Sequence, residues 1–320
     1  MFADNQKNKV KIHQDISNFE ARNPVVTIGT FDGVHLGHQI VIDRLKKLAK
    51  KYDGETVVFT FYPHPRLVTS PDETNLRLLT TLEEKKLLFE EFGIDHLIVY
   101  PFTKEFSQLS YSDFVQDILV GQIKTRCLVV GYDHKFGKNR EGGFEYLKQC
   151  ALKHKFDIEQ LEALSLNEDH VSSTKVRDAL QEGDIKKANR YLGYPFTLYG
   201  KVVLGKQVGR KIGFPTANIE ASDPHKIIPG YGVYAVQIKV DDRLFSGMLN
   251  IGTRPTFNQN ADNRSIEVHI FDFEEDIYNQ EVTLIFADKI RDEQKFSGVE
   301  ALVEQLKNDK KSALSILSGK

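Results

Sequence analysis

Four short apolar runs rich in β-branched residues punctuate the first half of the chain, at Val25–Gly29, Glu55–Phe61, Ile94–Tyr100 and Cys127–Gly131, and each reads as a buried strand. Between them the apolar positions recur with helical period. Val41, Leu45, Leu48 and Ala49 line one face of a helix beginning near His38, residues 82–92 carry Leu87, Leu88 and Phe92 before a stopping Gly93, and residues 111–120 and 143–152 fit the same spacing. Strand and helix in alternation predict a parallel sheet covered by helices, with ligands at the carboxyl ends of the strands. Gly29 and Gly131 stand at two such ends.

The pattern changes after Leu180. Asp184–Leu192 reads as one more helix, stopped at Gly193 and followed by Pro195. From Thr197 onward strands follow one another at 197–204, 231–240, 243–251, 264–273 and 278–288, separated by Gly, Pro, Asn and Asp. Consecutive strands of this kind predict an antiparallel sheet that closes into a small barrel and so removes its edges. A final helix is expected from a capping box of Ser297 with Glu300 and an apolar stripe of Val299, Leu302, Val303 and Leu306. The expected division is a first domain over residues 1–184 and a second over 185–320.

Composition narrows the function. A chain of 320 residues is long enough for about two domains with cores of their own. A net charge of −2 with both signs interspersed supplies no polycationic field for a nucleic-acid backbone. Cys127 and Cys150 are the only cysteines and neither sits in a C-x-x-C, which suits reduced, buried thiols in a cytoplasmic protein. No segment approaches the ~20 apolar residues that span a bilayer, and residues 1–24 contain no signal-like apolar stretch.

Candidate chemistry begins where the first strand ends. Gly29, Gly33 and Gly37 allow close backbone approach, while His35 and His38 stand at a helix start whose N–H groups and positive dipole end suit phosphate. A pair of surface histidines or a metal pair at helical spacing is the blander reading. A second cluster, Ser172-Ser173-Thr174-Lys175-Val176-Arg177, opens another helix; alone it is an ordinary capped helix, but Arg177 sets a cation one turn from Ser173.

His35-Leu36-Gly37-His38 and the Ser-Ser-Thr-x-x-Arg run ending at Arg177 resemble the paired signatures of the nucleotidyltransferase superfamily. Gly29-Thr30-Phe31-Asp32-Gly33 and Thr60-Phe61-Tyr62-Pro63-His64-Pro65-Arg66 resemble one family within it, the bacterial bifunctional riboflavin kinase/FAD synthetases. The resemblance covers nearly the whole chain and implies a Rossmann-like nucleotidyltransferase domain that moves AMP from ATP to FMN. It implies ATP and phosphate contacts for Gly29, Phe31, His35, Gly37, His38, Ser173, Thr174 and Arg177. Asp133, in Gly131-Tyr132-Asp133-His134-Lys135-Phe136-Gly137, is implied in flavin binding, with His134 where the family usually has an aromatic residue.

In the second half, Gly205-Lys206-Gln207-Val208-Gly209-Arg210-Lys211 is a glycine-rich basic loop. Gly200–Lys206 begins like a P-loop, but Gln207 replaces the required Ser or Thr, so a Walker site is rejected. Thr216 and Asn218 alternate on an extended piece and offer oxygen to a Mg²⁺–phosphate group. The strand Arg264–Ile270 puts Ser265, Glu267 and His269 on one face, ordinarily a solvated one. Gly213-Phe214-Pro215-Thr216-Ala217-Asn218, Asn250–Phe257 and the segment from Glu267 through Tyr278 to Arg291 resemble the riboflavin kinase module, a six-stranded Greek-key barrel with a terminal helix. That resemblance implies ATP contacts from Gly205 and Lys211, Mg-ATP binding by Thr216 and Asn218, a flavin contact from Arg291, and Glu267 as the base for the ribityl hydroxyl. Asn258 and Asn279 stand at turn positions where the family usually has Gly, and Asn tolerates left-handed backbone.

The expectation is therefore a cytoplasmic, monomeric or weakly self-associating enzyme that takes riboflavin, FMN and ATP, needs Mg²⁺, and has neither nucleic acid nor membrane as a partner. Alternatives are a single working module, adenylylation of another phosphate ester, or a flavin-binding regulator without turnover.

Overall fold

The computed structural model describes residues 9–70, 76–132, 143–162, 165–166, 169–205, 208–253 and 264–319. Its contacts divide the chain into two compact units, residues 1–172 and 173–320.

The first unit is built on a six-stranded parallel sheet of β1 (Lys11–His13), β2 (Val25–Ile28), β3 (Thr56–Tyr62), β4 (His96–Pro101), β5 (Cys127–Val130) and β6 (Asp157–Gln160), in the order β1-β4-β3-β2-β5-β6. All four residues of β2 and of β5 are buried, as expected of strands covered on both faces. One core packs Val26, Val57, Ile98 and Leu128 under Phe114, Ile118 and Leu147; the other packs Val25, Val58, Leu97 and Val129 under Ile42, Leu45 and Phe89. Helices α1 (Leu36–Lys51), α2 (Pro65–Thr69), α3 (Leu82–Glu91), α4 (Lys104–Ser107), α5 (Tyr111–Asp113) and α6 (Phe144–His154) join the strands, and α5 continues as a wide π-turn over Phe114–Gln122. A two-stranded ribbon, β7 (Ser165–Leu166) and β8 (Asp169–His170), follows. The chain order reverses between β2 and its neighbours β3 and β5, which sets the ligand crevice beyond the carboxyl end of β2.

The second unit opens with α7 (Ser173–Glu182) and α8 (Ile185–Leu192), which stops at left-handed Gly193 as its sequence predicts. Six antiparallel strands close into a barrel: β9 (Thr197–Val203), β10 (Ala217–Ala221), β11 (Gly232–Val240), β12 (Arg243–Thr253), β13 (Arg264–Ile270) and β14 (Glu281–Arg291), in the order β10-β13-β12-β11-β14-β9. Asn279 adopts φ 65° at the turn before β14, the left-handed conformation that Asn accepts in place of glycine. Asn258 lies outside the described residues.

Two local expectations are corrected. Helix α9 (Val299–Leu317) is capped by Gly298 with no side-chain hydrogen bond, so Ser297 and Glu300 form no capping box. Starting one residue late, α9 leaves Val299 exposed and packs Leu306, Ala313, Ile316 and Leu317 toward Ala235, Met248 and Phe271 of the barrel. On α3 the expected stripe is also shifted. Leu87 is 52% exposed, while Glu84, Lys85 and Phe89 are buried. Cys127 and Cys150 are buried and free, and no helix among the described residues is long and apolar enough to cross a membrane.

Two candidate active sites

After β2 the chain turns through Gly29-Thr30-Phe31-Asp32-Gly33-Val34 and enters α1 two residues earlier than the sequence suggests, with His35 as the N-cap. Phe31 (φ 47°) and Val34 (φ 32°) join Gly33 (φ 83°) in the left-handed region, where a β-branched residue is strained and must be held by its surroundings. The surroundings supply that hold. Asp32 accepts hydrogen bonds from the backbone N–H groups of Leu79 (2.9 Å) and Thr80 (3.1 Å), Gly33 N–H donates to the Thr80 hydroxyl (3.0 Å), and the Gln39 amide donates to the Val34 carbonyl (2.9 Å). The Phe31 ring is buried between Phe89, edge-on at 5.6 Å, and His38 at 5.0 Å.

The consequence is a fixed pair of imidazoles. His35 and His38 stack with ring centroids 3.8 Å apart and planes 16° apart, so the three-residue spacing does aim both rings one way. Gly37 leaves room for the stack: a Cβ there would press within 3.2 Å of the His35 ring. Gly29 similarly accommodates the Phe31 ring, 3.1 Å from a Cβ placed at that residue. The His35 side chain makes no capping hydrogen bond to α1 and no acidic residue occupies the first turn, so the positive end of this helix suits an anionic ligand. Burial, reinforced by His35 and Lys85, holds the His38 imidazole well below the usual histidine range. It is therefore neutral at pH 7, and its buried Nδ1 has no hydrogen-bond partner among the described residues. Such a group gains most when a charged oxygen arrives.

Ser173, Thr174 and Arg177 lie on the first turn and a half of α7, with Ser173 and Arg177 half-buried one above the other and Thr174 exposed. By its contacts α7 belongs to the second unit. Asp133 and His134 lie outside the described residues.

The second site forms on the barrel wall. Asn218 of β10 lies directly opposite Glu267 of β13, which lies opposite Asn250 of β12, and cross-strand partners share a face. The Thr216 hydroxyl donates to Glu267 Oε2 at 3.2 Å. A Cβ on Gly205 would overlap the Asn218 amide, and one on Gly209 would overlap the Phe214 carbonyl, so both glycines are required by close approach. His269 Nδ1 donates to the Pro215 carbonyl at 2.7 Å while its ring meets Phe214, pinning the segment that carries Thr216. Burial lowers the His269 imidazole from its ordinary value despite that hydrogen bond. The face of Ser265, Glu267 and His269 is thus covered rather than solvated: Ser265 is buried and its two neighbours partly so. Lys211 lies in a 3₁₀ turn, Val208–Ile212. Arg291 donates to both oxygens of Asp309 on α9, at 2.8–3.1 Å, and to the Asp292 carbonyl.

These two constellations coincide with two family matches. Residues 17–175 match the FAD synthetase family and residues 192–317 the riboflavin kinase family. A bifunctional riboflavin kinase/FMN adenylyltransferase from Listeria monocytogenes is 40% identical over 287 residues, 90% of each chain. Its counterpart from Bacillus subtilis is 36% identical over 307 residues, 96% of each. The chain belongs to the bifunctional riboflavin kinase/FMN adenylyltransferase family. A solved structure described as a macrolide-efflux protein from Streptococcus pneumoniae shares the fold of this chain, with a TM-score of 0.87 and 30% identity over 95% of this chain and 98% of that one.

Thr80, Lys85, Asn250 and His269 join these constellations without having been given a role from the sequence. Asn250 and His269 were visible as members of alternating strands, but only barrel closure sets Asn250 beside Glu267. Thr80 and Lys85 carried no local signal at all.

Proposed function

We propose that the two activities of the family are carried by the two constellations just described. The chain phosphorylates riboflavin to FMN and transfers AMP from ATP to FMN, giving FAD and pyrophosphate. Residues 1–184 are assigned the adenylyl transfer and residues 185–320 the kinase reaction, so Ser173, Thr174 and Arg177 count with the first activity on their motif although α7 packs with the second unit.

In the kinase reaction Glu267 accepts the proton of the ribityl hydroxyl as its oxygen attacks the γ-phosphorus of ATP and ADP leaves. Thr216 and Asn218 offer hard oxygen donors beside that carboxylate, a set that fits Mg²⁺. When bound, Mg²⁺ would neutralise phosphate charge there. Gly205 and Lys211 are assigned to ATP. Arg291 is assigned to the flavin, its guanidinium oriented by Asp309.

In the adenylyl transfer the FMN phosphate is already a nucleophile, so no covalent enzyme intermediate is required and the site need only align ATP and offset charge on departing pyrophosphate. His35, His38 and the backbone around Gly29, Phe31 and Gly37 receive the ATP phosphates; Ser173, Thr174 and Arg177 receive the β- and γ-phosphates. Asp133 is assigned to the flavin on its motif. The cytoplasm is the proposed compartment, consistent with two free, buried thiols. A monomer or weak homo-oligomer without nucleic-acid partners is the proposed working form.

The observation that carries this reading is the grouping of Thr216, Asn218 and Glu267 on one barrel face while the stacked histidines sit in the other unit. Chromatography of flavins after incubation with Mg-ATP tests it. Glu267→Ala is expected to make no FMN from riboflavin yet to convert supplied FMN to FAD. His38→Ala is expected to stop at FMN, with adenylyl transfer slowed on the order of 10²–10³-fold. Loss of both reactions in either folded variant would contradict the assignment.

A further inference from the structure

Lys85 is a buried lysine whose place in the fold is not explained by folding alone. It is 7% exposed on the inner face of α3, and its ammonium donates to the Thr30 carbonyl at 2.6 Å. That carbonyl also accepts from the Thr60 hydroxyl at 3.3 Å, so a lysine is not needed merely to satisfy it. A methionine would fill the same volume without desolvating a charge. What the methionine would not supply is a cation beneath the turn that carries the histidine pair.

The charged and titratable groups around this ammonium come from each element packed against it. Asp32 faces it from the turn and favours its charge, and His38 faces it from α1 and loses proton affinity to it. His35 lies behind His38 in the stack. On its own helix, Glu84 reaches back to the Thr81 N–H at 2.8 Å to complete the capping box. Since Asp32 is also engaged by Leu79 and Thr80, the ammonium is not consumed in a simple ion pair.

We propose that Lys85 is a positioning residue for adenylyl transfer, whose ammonium holds the Thr30 carbonyl in the strained turn and sets a fixed positive charge under the His35–His38 pair where the polyphosphate of ATP is received. The inference rests on the assignment of His38 to that reaction. In a water-poor site such a charge acts on the polyphosphate with little screening and needs no reorganisation when ATP arrives. It also adds to the burial and the His35 charge that lower the proton affinity of His38.

Burial pushes the Lys85 ammonium down to about 8, so the free enzyme loses this charge within a measurable range. FAD formation should therefore show an alkaline limb that FMN formation does not. The limb belongs in kcat/KM for ATP, which reports the free enzyme, more than in kcat, because bound polyphosphate stabilises the ammonium.

The test is the pH profile of both reactions in the full chain from pH 6.5 to 9.5. The wild type is expected to lose FAD-forming kcat/KM roughly tenfold per pH unit above about pH 8, with the kinase profile lacking that limb. Lys85→Arg, which keeps its charge beyond pH 10 by a wide margin, should retain most activity and lose the limb. Lys85→Met should be slower by ~10–100-fold at pH 7 and also lack it. A wild-type profile flat to pH 9, or a limb unchanged in Lys85→Arg, overturns the inference; if neither variant folds, the wild-type profile alone decides. His38→Ala run alongside separates the two failures. If it retains adenylyl transfer, the assignment of the site fails, whereas its loss together with an unaffected Lys85→Met removes only the role of Lys85.

Discussion

A lysine kept from water is a liability for folding, and at residue scale Lys85 exposes the tension between stability and function. Its proton affinity is lower in the folded chain than in the unfolded one, so between about pH 8 and the ordinary lysine range the unfolded state binds more protons. Stability from this group therefore rises with pH across that window and is least below it. Lys85→Met is expected to melt above wild type at pH 7 and to lose that advantage by pH 10, as read by thermal unfolding of the first unit. Activity and stability would then move in opposite directions with pH. His38 behaves in the complementary range: its depressed imidazole makes the fold less stable as pH falls through the ordinary histidine value.

At the scale of elements, the second site depends on strands held in register by continuous antiparallel ladders and on the side chains that tie the barrel to α9. The ion pair of Arg291 with Asp309, the latter only 1% exposed, ties the end of β14 to α9. Asp309→Ala leaves the guanidinium without its buried partner and is expected to cost the barrel about 3–5 kcal/mol, measured as a lower denaturant midpoint of the second unit. Close approach matters equally. Gly205→Ala would force the Asn218 amide from its place opposite Glu267, so FMN formation should fall by orders of magnitude while conversion of supplied FMN to FAD is unchanged in a flavin chromatogram.

For the whole molecule, the proposed assignment puts the chemistry of each reaction on different residues, with FMN the product of one and the substrate of the other. An equimolar mixture of His38→Ala and Glu267→Ala is accordingly expected to convert riboflavin to FAD although neither does so alone. FMN should accumulate before FAD in the time course.

The parts of this architecture that were legible from sequence are those set by local chemistry. Continuous apolar runs such as Val25–Ile28 announced buried strands, Gly193 stopped α8, and Gly29 and Gly37 stand where an added Cβ would crowd the rings of Phe31 and His35. The short strands β1 and β6, three and four residues long, carry too little periodicity to stand out, and β10 read as an extended loop because its pairing partners lie far along the chain. Where α9 begins was decided by packing against the barrel, which outweighed the cap that Ser297 and Glu300 offered.

The sequence by itself pointed to the two chemistries through motifs that resemble the nucleotidyltransferase superfamily and the riboflavin kinase module, because imidazole, carboxylate, hydroxyl and glycine are properties of residues and survive in any conformation. Tertiary structure decided which of them meet. Asn250 reaches the row of Glu267 and Asn218 only when the barrel closes, and Lys85 becomes a buried cation only when α3 docks under the turn after β2. Both depend on contacts between residues distant along the chain, and a reading of neighbours in sequence has no access to them.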